Sequence, residues 1–317
     1  GRRLEDRDLD HHDHPSGHHD DPSGDEHDPP GDDHHQGQVL SDGSADGSAL
    51  APEVVAALSP LVADPSATAI LTDFDGTLAS IITDPAAVEP LPGVASTLAG
   101  LAARFGRVAV VSGRPVSFLA EQLAGAGELQ LVGLYGLERS GGHGEVIAAP
   151  GAEPWRRVVE AAVTRLDSAA PAGVTVEPKA LTVTIHWRRD PALAPVAIGL
   201  AEAEAAATGL VPHSGRMSIE LRPPLAVDKG TAVAGLVEGY RAAAYLGDDL
   251  GDLPAFAALD AASSQGMVTV KVAAVDGESP PEVAAAADVV VDGPAGSLAV
   301  LGWLADRARN GGQGRER

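Results

Sequence analysis

From about residue 50 onward, short unbroken apolar runs alternate with longer stretches in which apolar residues recur every three or four positions. SATAILTDFD, RVAVVSGR and LQLVGLYGLE are the first three such runs, and their length and composition fit strands buried on both faces. VASTLAGLAARFG and PVSFLAEQLAG separate them with helical spacing, the second with proline near its first turn. APEVVAALSPLVAD precedes them as a further helix. The rhythm resumes late in the chain, where DKGTAVAGLVEGY and LPAFAALDAA read as helices and AAAYLGDD, VTVKVA and ADVVVDG as strands. Continuous apolar strands alternating with helices predict a parallel sheet of α/β type.

Between these halves, over residues 152–214, the pattern changes. PWRRVVEAAVTRLDSAA and PALAPVAIGLAEAEAAATG are helical, and GVTVEPKALTVTIHWR reads as two strands joined by a Pro-Lys-Ala turn. The expected organisation is therefore an α/β core over 48–151 and 215–310, with an α+β module of 152–214 inserted into it. Strand alternation places Thr182, Thr184, His186 and Arg188 on one face of the module, and Val183, Ile185 and Trp187 on the other. A polar sheet face suits a ligand rich in hydroxyls, although an ordinary solvated face would read the same way.

Composition narrows this picture. Aromatic residues make up only 3%, so Ala, Val and Leu must build the core. Cysteine is absent, which excludes disulfides and thiol chemistry. No apolar stretch approaches the roughly 18 residues of a membrane span, and the expected location is the cytoplasm. A formal charge of -23 argues against nucleic acid as a partner. Residues 1–47 hold 8 of the 11 histidines, many aspartates and almost no large apolar residue. They are expected to be a disordered, solvated tail, with loose divalent-metal binding as the alternative. Residues 311–317 are expected to be a flexible C-terminus.

The strand ends carry the chemistry. The first run closes on Asp73, the second on Ser112, and the later AAAYLG on Asp248 and Asp249. Open parallel sheets bind ligands at the carboxyl ends of their strands, so these groups are expected at one edge. In extended chain, Asp73 and Asp75 project to the same side, roughly 6.6 Å apart. Gly76 and Thr77 then allow a sharp turn whose N–H groups face an anion. One carboxylate can attack while the other exchanges protons. So dense an acidic site calls for a hard cation, and carboxylate oxygens suit Mg²⁺. Lys229, at a helix start, can offset charge on a phosphate and on the nucleophile.

DFDGT, VSGR, the DKG lysine and GDDLGD, in this order over residues 68–295, resemble the haloacid dehalogenase-like phosphatase superfamily. The resemblance implies a Rossmann-like parallel-sheet core with an inserted α+β cap domain. It implies Asp73 as the phosphorylated nucleophile and Asp75 as general acid and base. Ser112 and Lys229 become phosphoryl ligands, and Asp73, Asp75, Asp248 and Asp249 the Mg²⁺ site, with Asp252 a candidate support. More finely, DFDGTLASIITDPAAVEPLPGV, VSGRP, GLYGLER, VEPKALTVTIHWR and MSIELRPP resemble trehalose-6-phosphate phosphatases. Gly251 and Leu253 stand where that family usually carries Thr and Glu. The resemblance implies sugar contacts for Glu177 and Lys179. It makes Gly113, Arg114, Glu138, His186, Arg188, Glu220 and Arg222 further candidates on the substrate side, while His143 and His213 read as incidental. The implied substrate is trehalose 6-phosphate; apart from the resemblance, a monomer is one option for the oligomeric state and a trehalose-6-phosphate synthase one option for a transient partner. The alternatives are another sugar phosphate, such as sucrose phosphate or mannosyl phosphoglycerate, or a non-catalytic binding protein of the same fold.

Overall fold

The computed structural model describes residues 50–313 apart from 83, 85, 86, 216 and 278. The expectations for residues 1–47 fall outside the described residues. The last helix runs through Gln313, three residues into the segment expected to be a flexible C-terminus.

The core is an eight-stranded sheet. In chain order its strands are β1 (Thr68–Thr72), β2 (Arg107–Val111), β3 (Gln130–Gly133), β4 (Glu138–Ser140), β5 (Val146–Ala148), β10 (Ala242–Gly247), β11 (Val268–Val275) and β12 (Val289–Asp292). In space they run β12-β11-β10-β1-β2-β3-β4-β5. Pairing is parallel from β12 to β3, and β4 and β5 append an antiparallel edge. The expected α/β class therefore holds. Ile70, Val108, Val110, Ala244 and Leu246 point to one face and pack with residues of α2 (Val94–Ala102) and α9 (Gly293–Gln313). Leu71, Ala109, Val111, Ala243 and Tyr245 point to the other, against α6 (Lys229–Val237) and α7 (Leu253–Ser264). Burial on both faces is why the strands read as continuous apolar runs rather than alternating ones.

LQLVGLYGLE is not the single strand expected. It breaks at Leu134 and Tyr135, whose φ values are 49° and 60°. Their N–H groups donate to the carbonyls of Arg114 (3.1 Å) and Ser112 (3.0 Å), and the chain turns back into β4. Two consecutive left-handed residues without glycine are costly, and the two hydrogen bonds to the β2 end hold them there.

The inserted module is a four-stranded antiparallel sheet, β6-β7-β9-β8, backed by two helices. Its elements are α4 (Trp155–Ala169), β6 (Thr175–Lys179), β7 (Thr182–His186), α5 (Ala194–Thr208), β8 (Val211–Gly215) and β9 (Ser218–Arg222). The sheet runs on past residue 214, because the weakly strand-like VPHSG pairs with SIELR and the hairpin completes it. The first turn is also shifted. Pro178 and Lys179 lie within β6, and the chain reverses at Ala180 (φ 60°) and Leu181. Proline is tolerated there because β6 is an edge strand. Val183, Ile185 and Trp187 pack onto the two helices, as the alternation predicted. No helix among the described residues is long and apolar enough to cross a membrane.

Candidate active site

The sheet order places β1 between β10 and β2, with Thr72 in register with Leu246 and Val110. Asp73, Ser112 and Asp248 follow directly on these strand ends, so they converge, as expected for the carboxyl edge of a parallel sheet. The Asp73 N–H donates to the Leu246 carbonyl at 2.8 Å, which ties the acidic residue to the sheet. β1 itself ends at Thr72, and the chain coils at once: the N–H groups of Leu78 and Ala79 both donate to the Phe74 carbonyl. The extended geometry from which Asp73 and Asp75 were expected to share a side is therefore absent. Gly76, at φ 74°, packs so tightly that an added Cβ would lie 1.9 Å from the Asp248 carboxylate. Only glycine admits that approach, and Thr77 then donates its hydroxyl to Asp248 Oδ1 at 3.1 Å.

Asp252 organises the floor of the site. Fully buried, it accepts from Lys229 Nζ at 2.6 Å, from the Tyr245 hydroxyl at 2.6 Å, and from the N–H groups of Asp248 (2.9 Å) and Asp249 (3.1 Å). Lys229 reaches Asp73 Oδ2 at 2.9 Å. Asp228 and Thr231 form a capping box at the start of α6, which fixes the lysine's helix. Asp73 is 4% exposed, and its Oδ1 has no hydrogen-bond partner among the described residues. Burial raises its pKa well above the usual carboxylate range; Lys229 opposes the rise, and Asp252, Asp249 and Asp75 add to it. Burial, then Asp73 and the other two carboxylates of the loop, push Asp248 up to about 10. Burial works to lower the Lys229 pKa, but Asp252 and Asp73 outweigh it and hold the ammonium charged.

Asp73, Asp248 and Asp252 each offer a carboxylate oxygen within 4.8 Å of the others. The unpartnered Asp73 oxygen and the mutual repulsion of these carboxylates fit a hard divalent cation, for which an all-oxygen set is suited. Two of the four expected ligands are otherwise engaged. Both oxygens of Asp75 accept from Arg114, at 2.8 and 2.7 Å, and Asp249 Oδ1 accepts from the Gly251 N–H at 2.8 Å. The structure thus gathers Asp73 and Asp248 around Asp252, and hands Asp75 to Arg114.

Ser112 is buried, and its Oγ accepts from the Arg114 N–H at 3.2 Å. Gly113 lies against the Tyr135 phenol, where a Cβ would come within 2.6 Å of the ring. Tyr135 in turn carries the Arg222 guanidinium 3.4 Å from its ring centroid, and so joins the core to the module. Glu138 is buried at the start of β4. Its Oε1 accepts the Val116 N–H at 2.5 Å at the start of α3 (Val116–Gln122), a structural duty.

The module's polar face forms a connected network. Glu177 Oε2 lies 2.7 Å from His186 Nε2 and 3.6 Å from Lys179 Nζ. Lys179 Nζ is 4.0 Å from Glu220 Oε1, which accepts the Thr182 hydroxyl at 2.7 Å, while Arg222 forks onto Glu220 Oε2. Arg188 lies in the turn past the end of β7. His213, expected to be incidental, stands on β8 in register with Glu220, and burial followed by Arg222 lowers its pKa. The sequence reading missed Tyr245 and Tyr135. Tyr245 sits in an apolar run that looks purely structural, and Tyr135 could have been suspected from the two glycines flanking LY.

A trehalose-phosphatase family model matches residues 71–290. The trehalose-phosphate phosphatase of Mycolicibacterium paratuberculosis is 33% identical over 264 residues, 77% of this chain and 63% of that protein. The trehalose-phosphate phosphatase of Mycobacterium marinum is 33% identical over 259 residues, 75% of this chain and 62% of that protein. The chain thus spans less than two thirds of the length of these relatives. A crystal structure described as a trehalose-6-phosphate phosphatase related protein superposes with a TM-score of 0.64 at 25% identity, covering 78% of this chain and 99% of that one. The C-terminal domain of Candida albicans trehalose-6-phosphate phosphatase shares the fold, with a TM-score of 0.63 at 24% identity over 78% of this chain and 96% of that one.

Proposed function

The chain belongs to the trehalose-phosphatase family, and from that premise we propose that it hydrolyses trehalose 6-phosphate to trehalose and phosphate with Mg²⁺ as cofactor. The observation that carries this reading is Asp73, a buried carboxylate directly after the end of β1, with one oxygen on Lys229 and the other without a partner among the described residues. Asp73 Oδ1 attacks phosphorus, and the phosphorus bond to the sugar oxygen breaks. Asp75 gives its proton to that leaving oxygen. A water that loses its proton to Asp75 then cleaves the aspartyl phosphate and frees phosphate. Ser112 and Lys229 hold phosphoryl oxygens, and Arg114 fixes the direction of the Asp75 carboxylate. Asp73 and Asp248 would hold the cation, with Asp252 behind them. When bound, Mg²⁺ supplies positive charge against the phosphoryl oxygens and the carboxylates.

The module supplies the sugar site. Glu177 and Lys179 are charged, partly buried and held in one network, so an unmet partner there is costly. A hydrogen bond to a charged group is worth about 1.5–3 kcal/mol, roughly ten- to a hundredfold in specificity. Glu177→Ala and Lys179→Ala are therefore expected to lower kcat/KM for trehalose 6-phosphate by that factor. Hydrolysis of a small aryl phosphate should barely change, since Asp73 and Asp75 are untouched. The measurement is phosphate release from both substrates by variants with matched melting curves. Equal losses on the two would assign the pair a structural role, and no loss on either would remove the reason for preferring this sugar.

A further inference from the structure

Thr184 occupies the middle of the module's polar face. Strand register sets it directly opposite Glu177 on β6 and Glu220 on β9, with His213 completing the row on β8. It is 4% exposed, and its Oγ1 has no hydrogen-bond partner among the described residues. Its neighbours on the same face are all engaged: Thr182 donates to Glu220, and His186 meets Glu177. A buried hydroxyl with no partner is uncommon, because it forfeits its water without compensation. Strand shape does not account for it. Val183 and Ile185 flank it on β7, and valine would fill the same β-branched volume with no unpaired polar atom.

We propose that Thr184 is a specificity-determining residue, whose hydroxyl bonds a sugar hydroxyl held by Glu177 or Glu220. The inference rests on the reading of the chain as a sugar-phosphate phosphatase and adds to it a residue that the motif resemblance does not supply. Residues directly opposite on antiparallel strands stand about 4.5–5.5 Å apart at Cβ, so one ligand oxygen can meet two of them. A carboxylate can only accept, so a sugar hydroxyl bound to Glu177 or Glu220 spends its proton there. Its lone pairs then remain open, and Thr184 Oγ1–H is the donor the face holds in reserve. The arrangement selects a ligand that brings a hydroxyl to the sheet centre, and it gives nothing to a phosphate ester without one.

The test uses the full chain with Mg²⁺ and compares wild type, Thr184→Val and Thr184→Ser on trehalose 6-phosphate and on an aryl phosphate. Thr184→Val is expected to lower kcat/KM for the sugar phosphate about tenfold, chiefly through KM, as expected for a lost hydrogen bond in a site built for it. Aryl phosphate turnover should stay within about twofold of wild type, and the melting temperature should not fall, since no protein partner is lost. Thr184→Ser keeps the hydroxyl and should restore the sugar-phosphate rate. Wild-type kinetics in Thr184→Val would overturn the proposal. So would equal losses on both substrates or a lowered melting temperature, which would give the hydroxyl to the fold. A wild type that hydrolyses the aryl phosphate but not trehalose 6-phosphate would instead remove the underlying reading, and this inference with it.

Discussion

Asp73→Asn is expected to lose on the order of 10⁴-fold or more of turnover while still folding, since removing a covalent nucleophile leaves only binding and electrostatic assistance. The amide keeps the size of the carboxylate and its place after β1. Its neutral amide oxygen is too poor a nucleophile to attack phosphorus. The fold should tolerate the change, because Lys229 keeps its 2.6 Å bond to Asp252, and because burial and neighbouring carboxylates already oppose ionisation of Asp73. Single-turnover phosphate release beside a thermal melt checks both halves. Substantial turnover in this variant would mean that the nucleophile lies elsewhere.

The largest effect on stability is expected at Asp252. Its removal would leave Lys229 Nζ, the Tyr245 hydroxyl and the N–H groups of Asp248 and Asp249 without the acceptor they share. Breaking a buried charge pair by deleting one partner costs about 3–5 kcal/mol, on the order of 10 °C in melting temperature for a domain of this size. Asp252→Ala should therefore show a clearly lowered urea midpoint. Asp252→Asn keeps the shape and part of the acceptor capacity, and should fall between Ala and wild type. Both should weaken Mg²⁺ binding, because Asp248 loses the anchor of its backbone. An unchanged midpoint in Asp252→Ala would show that the four donors find water or other partners instead.

The convergence of polar strand ends at one sheet edge could be read in advance because two simple rules act together there. Continuous apolar runs mark parallel strands, and parallel strands deliver their next residues to one edge, so Asp73, Ser112 and Asp248 were legible as a group. What eluded the sequence depends on contacts that periodicity does not encode. Asp75 was expected beside Asp73 in extended chain, but β1 stops at Thr72 and the following turn gives the carboxylate to Arg114. Asp252 was read as support for a metal shell, and its place beside Asp73 and Asp248 fits that reading; that it also gathers a lysine, a tyrosine and two backbone donors was not legible. Glu138 was read as a candidate on the substrate side, and its bond to the N–H at the start of α3 was not legible. The break at Leu134 and Tyr135 was hidden because non-glycine residues rarely take positive φ, so nothing in their chemistry announces it. In the inserted module, alternation correctly separated Thr184 and His186 from Val183 and Ile185. VPHSG was passed over because proline, serine and glycine are poor strand formers, and pairing with β9 overrides that preference.

The buried aspartates at the sheet edge are proposed to act on a disaccharide phosphate. The most direct test is phosphate release by the wild-type chain from trehalose 6-phosphate, sucrose phosphate, mannosyl phosphoglycerate and glucose 6-phosphate, each with Mg²⁺ and with EDTA. The highest kcat/KM is expected on trehalose 6-phosphate, with silence in EDTA and recovery when Mg²⁺ is restored. Equal rates on all four esters, preference for another of them, or full activity in EDTA would contradict this assignment.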